Sequence, residues 1–255
     1  MNYIISADTD IGIKKSTNQD SLSVKRIHTQ QGQMALAVLC DGMGGLEKGE
    51  VASASVIRAF DAWTRERLPV LCEGILQEAV IREEWNQLVQ QQNMLLHQYG
   101  ARQGVTLGTT LVALLLTEQQ YFVMNVGDSR VYEITDGLYQ ITKDQTFVAR
   151  EVELGNLTPE QAAVDPRRSV LLQCIGASDY VYPDLFCGVP KQNAVYMLCS
   201  DGFRHEISPQ ELYQELNPAV LADEYSIQQN VRRLIELNKA RHETDNISVV
   251  TVRTF

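Results

Sequence analysis

The chain has 255 residues, of which 44% are hydrophobic and 21% charged, and its formal net charge is −10 at pH 7. This length and composition predict one compact globular domain or two closely packed lobes, and the acidic balance argues against a nucleic-acid surface. The acidity is compatible either with general solubility or with carboxylates grouped to bind cations, and net charge alone does not separate the two.

Short apolar runs recur along the chain, rich in Val, Ile, Leu and Tyr and bounded by turn residues. Such runs are typical of buried strands. In chain order they span residues 34–40, 110–116, 121–126, 129–135, 195–199 and 247–252. Gly127 and Asp128 join two of these runs, 121–126 and 129–135, and this dipeptide predicts a hairpin between them.

Three segments between the strand groups have the features of helices. One begins at Gly49 and ends near Leu68, before Pro69. The other two, 73–99 and 223–240, are amphipathic. The residues predicted to share a face are Leu76, Val80, Leu88, Leu95 and Tyr99 in the first, and Ile227, Val231, Leu234 and Asn238 in the second.

The order of these elements predicts the fold class. Helices lie between groups of strands rather than after each strand, which favours an α+β protein with antiparallel sheets flanked by helices. Residues 144–180 break the pattern with polar, Pro-containing sequence. We interpret the chain as a single domain, 1–255, with a lid or flap inserted at about 144–180.

Location is predicted from three further features. The N-terminal sequence MNYIISADTD lacks the basic region and long apolar core of a signal peptide. The longest apolar run, Leu111–Leu116, is far shorter than the roughly 20 residues that a membrane span needs. The cysteines form no CxxC pair, and Cys40 and Cys199 end apolar runs, where a thiol packs as a small hydrophobic group. A reduced cytoplasmic protein is therefore predicted.

An apolar strand ending in Asp-Gly occurs twice, in AVLCDGMGG with Asp41 and in YMLCSDGF with Asp201. A buried strand fixes the backbone, so the carboxylate projects from a rigid rim, and the glycine lets a backbone carbonyl approach the same ligand. Mg²⁺ and Mn²⁺ prefer such oxygens. Asp128, in NVGDSR, and Asp245, before the last strand, occupy comparable positions. One Asp-Gly alone is an ordinary turn, but four acidic strand ends suggest a metal site.

Taken together and in order, these motifs resemble the metal-dependent protein phosphatase family, also called protein phosphatase type 2C, in its bacterial branch. The resemblance covers nearly the whole chain. The matching segments are TDIGIKKSTNQDS, VLCDGMGG, GTTLVALL, NVGDSRVYEI, ITKDQT, LCSDGF and TDNISVVTV. The implied fold is a four-layer αββα sandwich, in which two antiparallel sheets are flanked by helices on both outer faces.

The resemblance also implies a binuclear site that uses two Mn²⁺ or Mg²⁺ ions. Asp41 would bridge the ions, the Gly42 carbonyl would bind one of them, and Asp201 and Asp245 would complete the other. Asp128, together with Asp201, would hold a third, looser ion. A water shared by two cations loses its proton near neutral pH, so a metal-bridged hydroxide would attack the phosphorus of phosphoserine or phosphothreonine.

The same resemblance implies roles for further residues. Asp20, Gln19 and Asn246 would surround the metal ligands without binding the ions directly. Lys15 stands where the family usually has an arginine that binds the substrate phosphate. A lysine cannot form the two parallel hydrogen bonds that an arginine makes to a phosphate. Gln19 stands where the family usually has glutamate, so one negative charge is missing. Met43 replaces a histidine proposed as proton donor in eukaryotic relatives.

Arg204 and His205 follow Asp201 in the unusual stretch SDGFRH. They could face the substrate, but we interpret them as rim residues of a loop. The predicted partners are phosphorylated proteins, the substrates of a serine/threonine kinase. Neither nucleic acid nor membrane is a predicted partner, and the chain is predicted to be a monomer.

The spacing of residues in this chain argues against other enzyme classes. A cysteine-dependent phosphatase needs an arginine six positions after its cysteine, and the residues at that spacing are Leu46, Glu78, Tyr180, Asn193 and His205. A haloacid dehalogenase-type enzyme needs a second aspartate two residues after the first, where this chain has Met43. No GxxxxGK[ST] phosphate loop exists. The open alternative is a weak or inactive phosphatase-like module that binds a phosphoprotein, suggested by Lys15 and Gln19.

Overall fold

The computed structural model describes residues 1–29, 32–43 and 48–255, and in these ranges ten strands form two five-stranded antiparallel sheets. The last two glycines of DGMGG, at 44 and 45, lie outside the described residues. The first sheet has the order β1 (Tyr3–Asp10), β10 (Ile247–Thr254), β9 (Val195–Cys199), β6 (Arg130–Ile134) and β7 (Leu138–Gln140). The second has the order β2 (Ser21–Thr29), β3 (Gly32–Cys40), β4 (Leu111–Leu116), β5 (Tyr121–Val126) and β8 (Asp184–Gly188).

Helices cover both outer faces of the sheet pair. Against the second sheet lie α1 (Gly49–Glu66), α2 (Leu68–Leu71) and α3 (Glu78–Gln103). Two short helices follow in the predicted lid, α4 (Phe147–Glu153) and α5 (Pro159–Val164). Against the first sheet lie α6 (Asp201–Arg204), α7 (Pro209–Leu216) and α8 (Glu224–Ala240). No helix in the described part of the chain is long and apolar enough to cross a membrane.

The position of strand β3 between two layers explains why residues 34–40 form an uninterrupted apolar run. Leu36 and Val38 pack in the cluster that contains the residues of α1 and α3, whereas Ala37 and Leu39 pack between the two sheets. Successive side chains of a strand point to opposite faces, so a strand covered on both sides is apolar at every position. The predicted four-layer αββα sandwich is confirmed.

The predicted hairpin through Gly127 and Asp128 is wrong. Strands β5 and β6 belong to different sheets, because both edges of β5 are already paired, with β4 and with β8. The turn instead carries the chain from one sheet to the other. Gly127 has φ +98°, and its N–H donates to Oε1 of Gln145 at 2.8 Å. A Gly-Asp dipeptide specifies a sharp turn but not the partner of the strand that follows.

The helix predicted at 73–99 exists, and its predicted face is partly right, since Leu76, Leu88 and Tyr99 pack in or against the core. It begins at Glu78 rather than 73, and Val80 and Leu95 are exposed. The buried stripe is shifted by one residue and contains Ile81, Trp85 and Val89, together with Leu96. Trp85 determines this rotation, since its ring contacts Phe60 and Trp63 of α1 edge-on. In α8 the predicted face, with Ile227, Val231, Leu234 and Asn238, is confirmed.

Candidate metal centre

Four acidic residues lie at strand termini on one end of the sandwich. Strands β3 and β5 both pair antiparallel with β4, so their C-terminal ends, which lead into Asp41 and Asp128, lie on the same side. Asp201 follows β9, and Asp245 precedes the antiparallel neighbour β10. The backbone N–H of Ser200 donates to Ser248 O at 3.0 Å and locks these two ends together.

These carboxylates are close enough to perturb one another. Burial raises the pKa of Asp41 well above its ordinary value, and the charges of Asp20, Asp201, Asp128 and Asp245 raise it further. Burial and the charges of Asp201 and Asp245 raise the pKa of Asp20 to about 7. Like charges thus converge in a water-poor site, which is costly unless a cation neutralises them.

Three buried carboxylate oxygens lack a hydrogen-bond partner among the described residues: both oxygens of Asp20, and Oδ1 of Asp201. The hydroxyls of Ser248 and Ser200 lie near enough to Asp20 to lower its pKa, but their geometry falls short of an ordinary hydrogen bond. Buried anionic oxygens without donors are characteristic of a cation site. The residues present therefore fit a divalent metal.

The carboxylates do not form a closed cage. Within the described ranges, no three acidic, histidine or cysteine side chains are already gathered around one point. Mg²⁺ and Mn²⁺ do not require such a cage, because they bind through a few carboxylates and retain several waters.

Backbone contacts hold Asp41 and Gly42 rigidly. Thr110 accepts from the Asp41 N–H at 3.0 Å, and the Thr109 hydroxyl donates to the Asp41 carbonyl at 2.9 Å. A Cβ on Gly42 would lie 2.4 Å from the Gln19 carbonyl oxygen and 2.5 Å from that of Gly49. Only glycine therefore fits at position 42 without displacing these two carbonyl groups.

Asn246 ties the N-terminal loop to the acidic cluster. Its Oδ1 accepts from the Gln19 N–H at 2.9 Å, while its Nδ2 donates to the carbonyls of Ile11 at 3.0 Å and Thr17 at 3.2 Å. Asn246 thus positions the loop that contains Lys15.

Lys15 lies within the cluster and is not a solvated surface residue. Its Nζ is 2.9 Å from Oδ1 of Asp245. Burial lowers the pKa of Lys15, but the bond to Asp245 and the charges of Asp41 and Asp201 more than offset this, so the pKa lies above its ordinary value. The Lys15 ammonium is therefore a counter-ion of the carboxylates that are predicted to bind metal.

The chain matches the family model of protein phosphatase 2C over residues 13–242. This protein belongs to the protein phosphatase 2C family. The matched range includes the acidic residues at positions 20, 41, 128 and 201, and it confirms the family that the ordered motifs predict.

Relatives of known name support the same assignment. The chain is 28% identical to protein phosphatase PhpP of Streptococcus pneumoniae over 251 residues, which cover 97% of this chain and 96% of the relative. The serine/threonine phosphatase Stp1 from Staphylococcus aureus has a TM-score of 0.83 and 27% identity, with 100% and 96% of the two chains covered. The catalytic domain of PstP, solved with two manganese ions, has a TM-score of 0.76 and 29% identity, with 98% and 97% covered.

Gln19, where the family usually has glutamate, faces another acidic residue. Its Nε2 lies 3.4 Å from Oε2 of Glu50, in the first turn of α1. The Gln19 carbonyl accepts from the Gly42 N–H at 3.2 Å and from the Ser53 hydroxyl at 2.6 Å. Glu50 thus brings a carboxylate beside the position where this member of the family lacks one. The sequence analysis did not single out Glu50.

Arg204 is not a rim residue of a loop, contrary to the sequence interpretation, whereas His205 does lie in the exposed bend that follows α6. Arg204 ends α6 and its side chain is only 12% exposed. His205 lies between two carboxylates, with Nε2 3.6 Å from Oδ2 of Asp201 and Nδ1 3.5 Å from Oε2 of Glu243. Both side chains turn inward because the end of α6 packs beside Asp128 and the loop before β10.

Arg130 and Asp144 complete the polar surroundings and were not predicted. Arg130 donates to both carboxylate oxygens of Asp144, at 2.7 and 2.6 Å. Their motifs, NVGDSR and ITKDQT, were part of the family resemblance, but nothing in either segment indicates that the two residues pair. The signal was present only as two separate motifs, which the turn between the sheets brings together.

Proposed function

We propose that this protein hydrolyses phosphoserine and phosphothreonine in protein substrates, with Mn²⁺ or Mg²⁺ ions at the acidic end of the sandwich. The observation that carries the proposal is the convergence of Asp20, Asp41, Asp201 and Asp245. Buried oxygens of Asp20 and Asp201 have no donor among the described residues. A relative, the catalytic domain of PstP, was solved with two manganese ions, which supports a binuclear centre. We further propose that the protein is a cytoplasmic monomer that reverses the action of a serine/threonine kinase in signalling.

Each residue of the site has a distinct role in this proposal. Asp41 would bridge the two ions, Gly42 would offer its carbonyl to one, and Asp201 and Asp245 would complete the other. When bound, the cations lower the pKa of a shared water and offset negative charge on the phosphoryl group. The protein supplies no nucleophile of its own, and its contribution is to hold carboxylates and substrate in fixed positions.

Lys15 is proposed to bind the substrate phosphate. It is anchored through the loop that Asn246 holds, and its Nζ already lies among the carboxylates that would bind metal. If Asp245 bound a metal ion instead of Lys15, the ammonium would be available to the substrate phosphate. A lysine acts there as a point charge without the bidentate geometry of an arginine.

The test is hydrolysis of a phosphothreonine peptide and of p-nitrophenyl phosphate by the purified protein, with Mn²⁺ and with EDTA. We expect turnover of both substrates with Mn²⁺ and none with EDTA. The inactive phosphoprotein-binding module remains the alternative. Binding of the phosphopeptide without turnover at any Mn²⁺ concentration would establish that alternative and refute the phosphatase.

Replacing Lys15 with Met should separate metal binding from substrate binding. Without the Lys15 ammonium on Asp245, Mn²⁺ should bind several-fold more tightly, while KM for the phosphopeptide should rise about 10-fold because one contact to a charged group is lost. Calorimetric Mn²⁺ titration and steady-state kinetics measure the two effects. Lys14→Met, on the neighbouring residue, is the control. Unchanged KM together with unchanged Mn²⁺ affinity would place Lys15 outside the site.

Gln19→Glu should lower the Mn²⁺ concentration for half-maximal activity by a few-fold. The variant places a second carboxylate face to face with that of Glu50, beside Gly42, and a nearby cation relieves the repulsion between the two. The side-chain volume hardly changes, so packing effects should be small. Mn²⁺ should activate better than Mg²⁺, which gives up its waters reluctantly.

The measurement for position 19 is a Mn²⁺ titration of initial rates at fixed substrate. Glu50→Gln is the matched counterpart, since it removes the carboxylate that faces Gln19 and should raise the Mn²⁺ requirement. Superimposable titrations for all three proteins would mean that neither position senses the metal.

The lid at about 144–180 is proposed to select substrates rather than perform chemistry. Its base is fixed, because Asp144 pairs with Arg130 and the Thr109 N–H donates to the Ile175 carbonyl at 3.0 Å. Thr146 and Leu171 form a bridge that brings the ends of the intervening segment together. Residues 147–170, which contain α4 and α5, can therefore be removed without disturbing either anchor.

Replacing 147–170 with a short Gly-Ser connection should change kcat/KM among phosphopeptides more than about 10-fold and change p-nitrophenyl phosphate hydrolysis less than about threefold. Steady-state kinetics on a panel of phosphopeptides measures the difference. A matched control exchanges the exposed side chains Leu154 and Val164 for Ser while keeping the helices. Equal losses on peptides and on the small substrate would make the segment part of the catalytic core.

A further inference from the structure

Arg204 is placed where its positive charge meets Asp128. Its Nη2 donates to the Asp128 carbonyl at 3.1 Å and lies 3.8 Å from the Asp128 carboxylate. The same Nη2 lies 3.7 Å from Oδ2 of Asp144. The side chains of Arg204 and Asp128 are 12% and 9% exposed, so water screens this interaction weakly.

The guanidinium groups of Arg204 and Arg130 offset the charges of Asp128 and Asp144, whereas Asp201, a proposed ligand of the two-ion centre, adds a further negative charge beside Asp128. Arg130 is committed to Asp144 through two hydrogen bonds of 2.7 and 2.6 Å. Arg204 lies against Asp144 from a second direction and against Asp128. Two guanidinium groups therefore face two carboxylates. A guanidinium does not lose its proton in proteins, so its positive charge is present at any working pH.

We propose that the guanidinium of Arg204 is the resident cation at Asp128, so that Asp128 binds no metal ion and the centre operates with two ions. The inference rests on the proposed function, because it concerns the same metal centre. It replaces the sequence-based assignment of Asp128 to a third ion. A divalent cation at Asp128 would have to lie beside Arg204, which repels it, or displace a side chain that is held by a backbone hydrogen bond.

The consequence for function is a positive charge that does not depend on metal supply. A loosely bound ion leaves its site when the metal concentration falls, whereas Arg204 is part of the chain and cannot dissociate. Arg204 is thus a positioning residue that keeps Asp128 and α6 in place. A purely structural Arg204 would affect stability but would not change how many ions the protein binds.

The experiment counts bound Mn²⁺ from the signal of free Mn²⁺ in electron paramagnetic resonance, with the whole protein titrated well beyond saturation of its first two ions. We expect two ions in the wild type and in Arg204→Lys, which keeps the charge. Arg204→Met should bind a third ion, and Arg204→Met combined with Asp128→Asn should return to two. Arg241→Met is the control, since Arg241 lines the same surface depression but bonds to Glu211 and not to Asp128.

The outcomes separate the two proposals. Fewer than two ions in the wild type would count against the binuclear centre itself. A third ion in the wild type that is lost in Asp128→Asn would overturn only the role of Arg204, as would a count of two in a folded Arg204→Met protein. If Arg204→Met does not fold, the number of Mn²⁺ ions bound by the wild type and by Asp128→Asn still tests the inference. Two ions in both proteins would support it, because Asp128 would then bind none.

Discussion

Asp41→Asn is expected to abolish phosphatase turnover, with kcat reduced about 10³-fold or more, while the protein stays folded. Asp41 is proposed to bridge two cations. Removing such a carboxylate costs several kcal/mol of transition-state stabilisation, and each ~1.36 kcal/mol is a factor of ten in rate. Asp201→Asn and Asp245→Asn should behave alike. The measurement is the initial rate on p-nitrophenyl phosphate at saturating Mn²⁺.

The fold should survive these substitutions because the acidic residues are not part of its packing. Burial and neighbouring carboxylates raise the pKa of Asp41, so in EDTA at neutral pH an amide there should not lower the melting temperature. Asp136→Asn, in an exposed turn remote from the site, is the control and should keep full activity. Near-normal turnover of Asp41→Asn at saturating Mn²⁺ would refute the binuclear centre.

Gly202→Ala should both destabilise the protein and inactivate it. A Cβ at position 202 would lie 2.2 Å from the carbonyl oxygen of Asn246 and 3.3 Å from Cβ of Asp245. The loop before β10 would have to move, and such overpacking costs about 1–3 kcal/mol. For a chain of this size that lowers the melting temperature by roughly 2–12 °C.

The loss of activity should exceed what the loss of stability explains. The clash lies between Asp201 and Asp245, so it displaces both carboxylates relative to each other, and a misplacement of about 1 Å can cost on the order of 10²-fold in rate. Gly74→Ala is the matched control, because a Cβ there meets no atom within 4 Å. The prediction fails if Gly202→Ala keeps both the melting temperature and kcat of the wild type.

The order of motifs was enough to predict the family and the layer architecture. Strands such as β3 are apolar at every position because helices cover one face and the second sheet covers the other. Asp41 and Asp201 stand directly after such strands, so their positions at the rim follow from local sequence. The buried face of α8 was also predictable, since the apolar side of an amphipathic helix is the side that packs against the protein.

Pairing between distant segments was not predictable. Whether β5 pairs with β6 or with β8 depends on the relative free energies of those two strand pairings. The Gly127-Asp128 turn does not determine the choice. The face of α3 was misjudged by one residue because Trp85 packs against two aromatic rings of α1, and periodicity does not report which neighbour a helix meets.

The sequence by itself determined the buried strands, the acidic residues at their ends and the family to which the chain belongs. Only the tertiary structure decided what surrounds those acids: Lys15 on Asp245, Glu50 beside Gln19, and Arg204 on Asp128. The burial of a strand is predictable from its local sequence, because a strand covered on both faces is an uninterrupted apolar run. A charge pair between residues 76 positions apart, such as Arg204 and Asp128, forms only when the two sheets stack and bring their ends together.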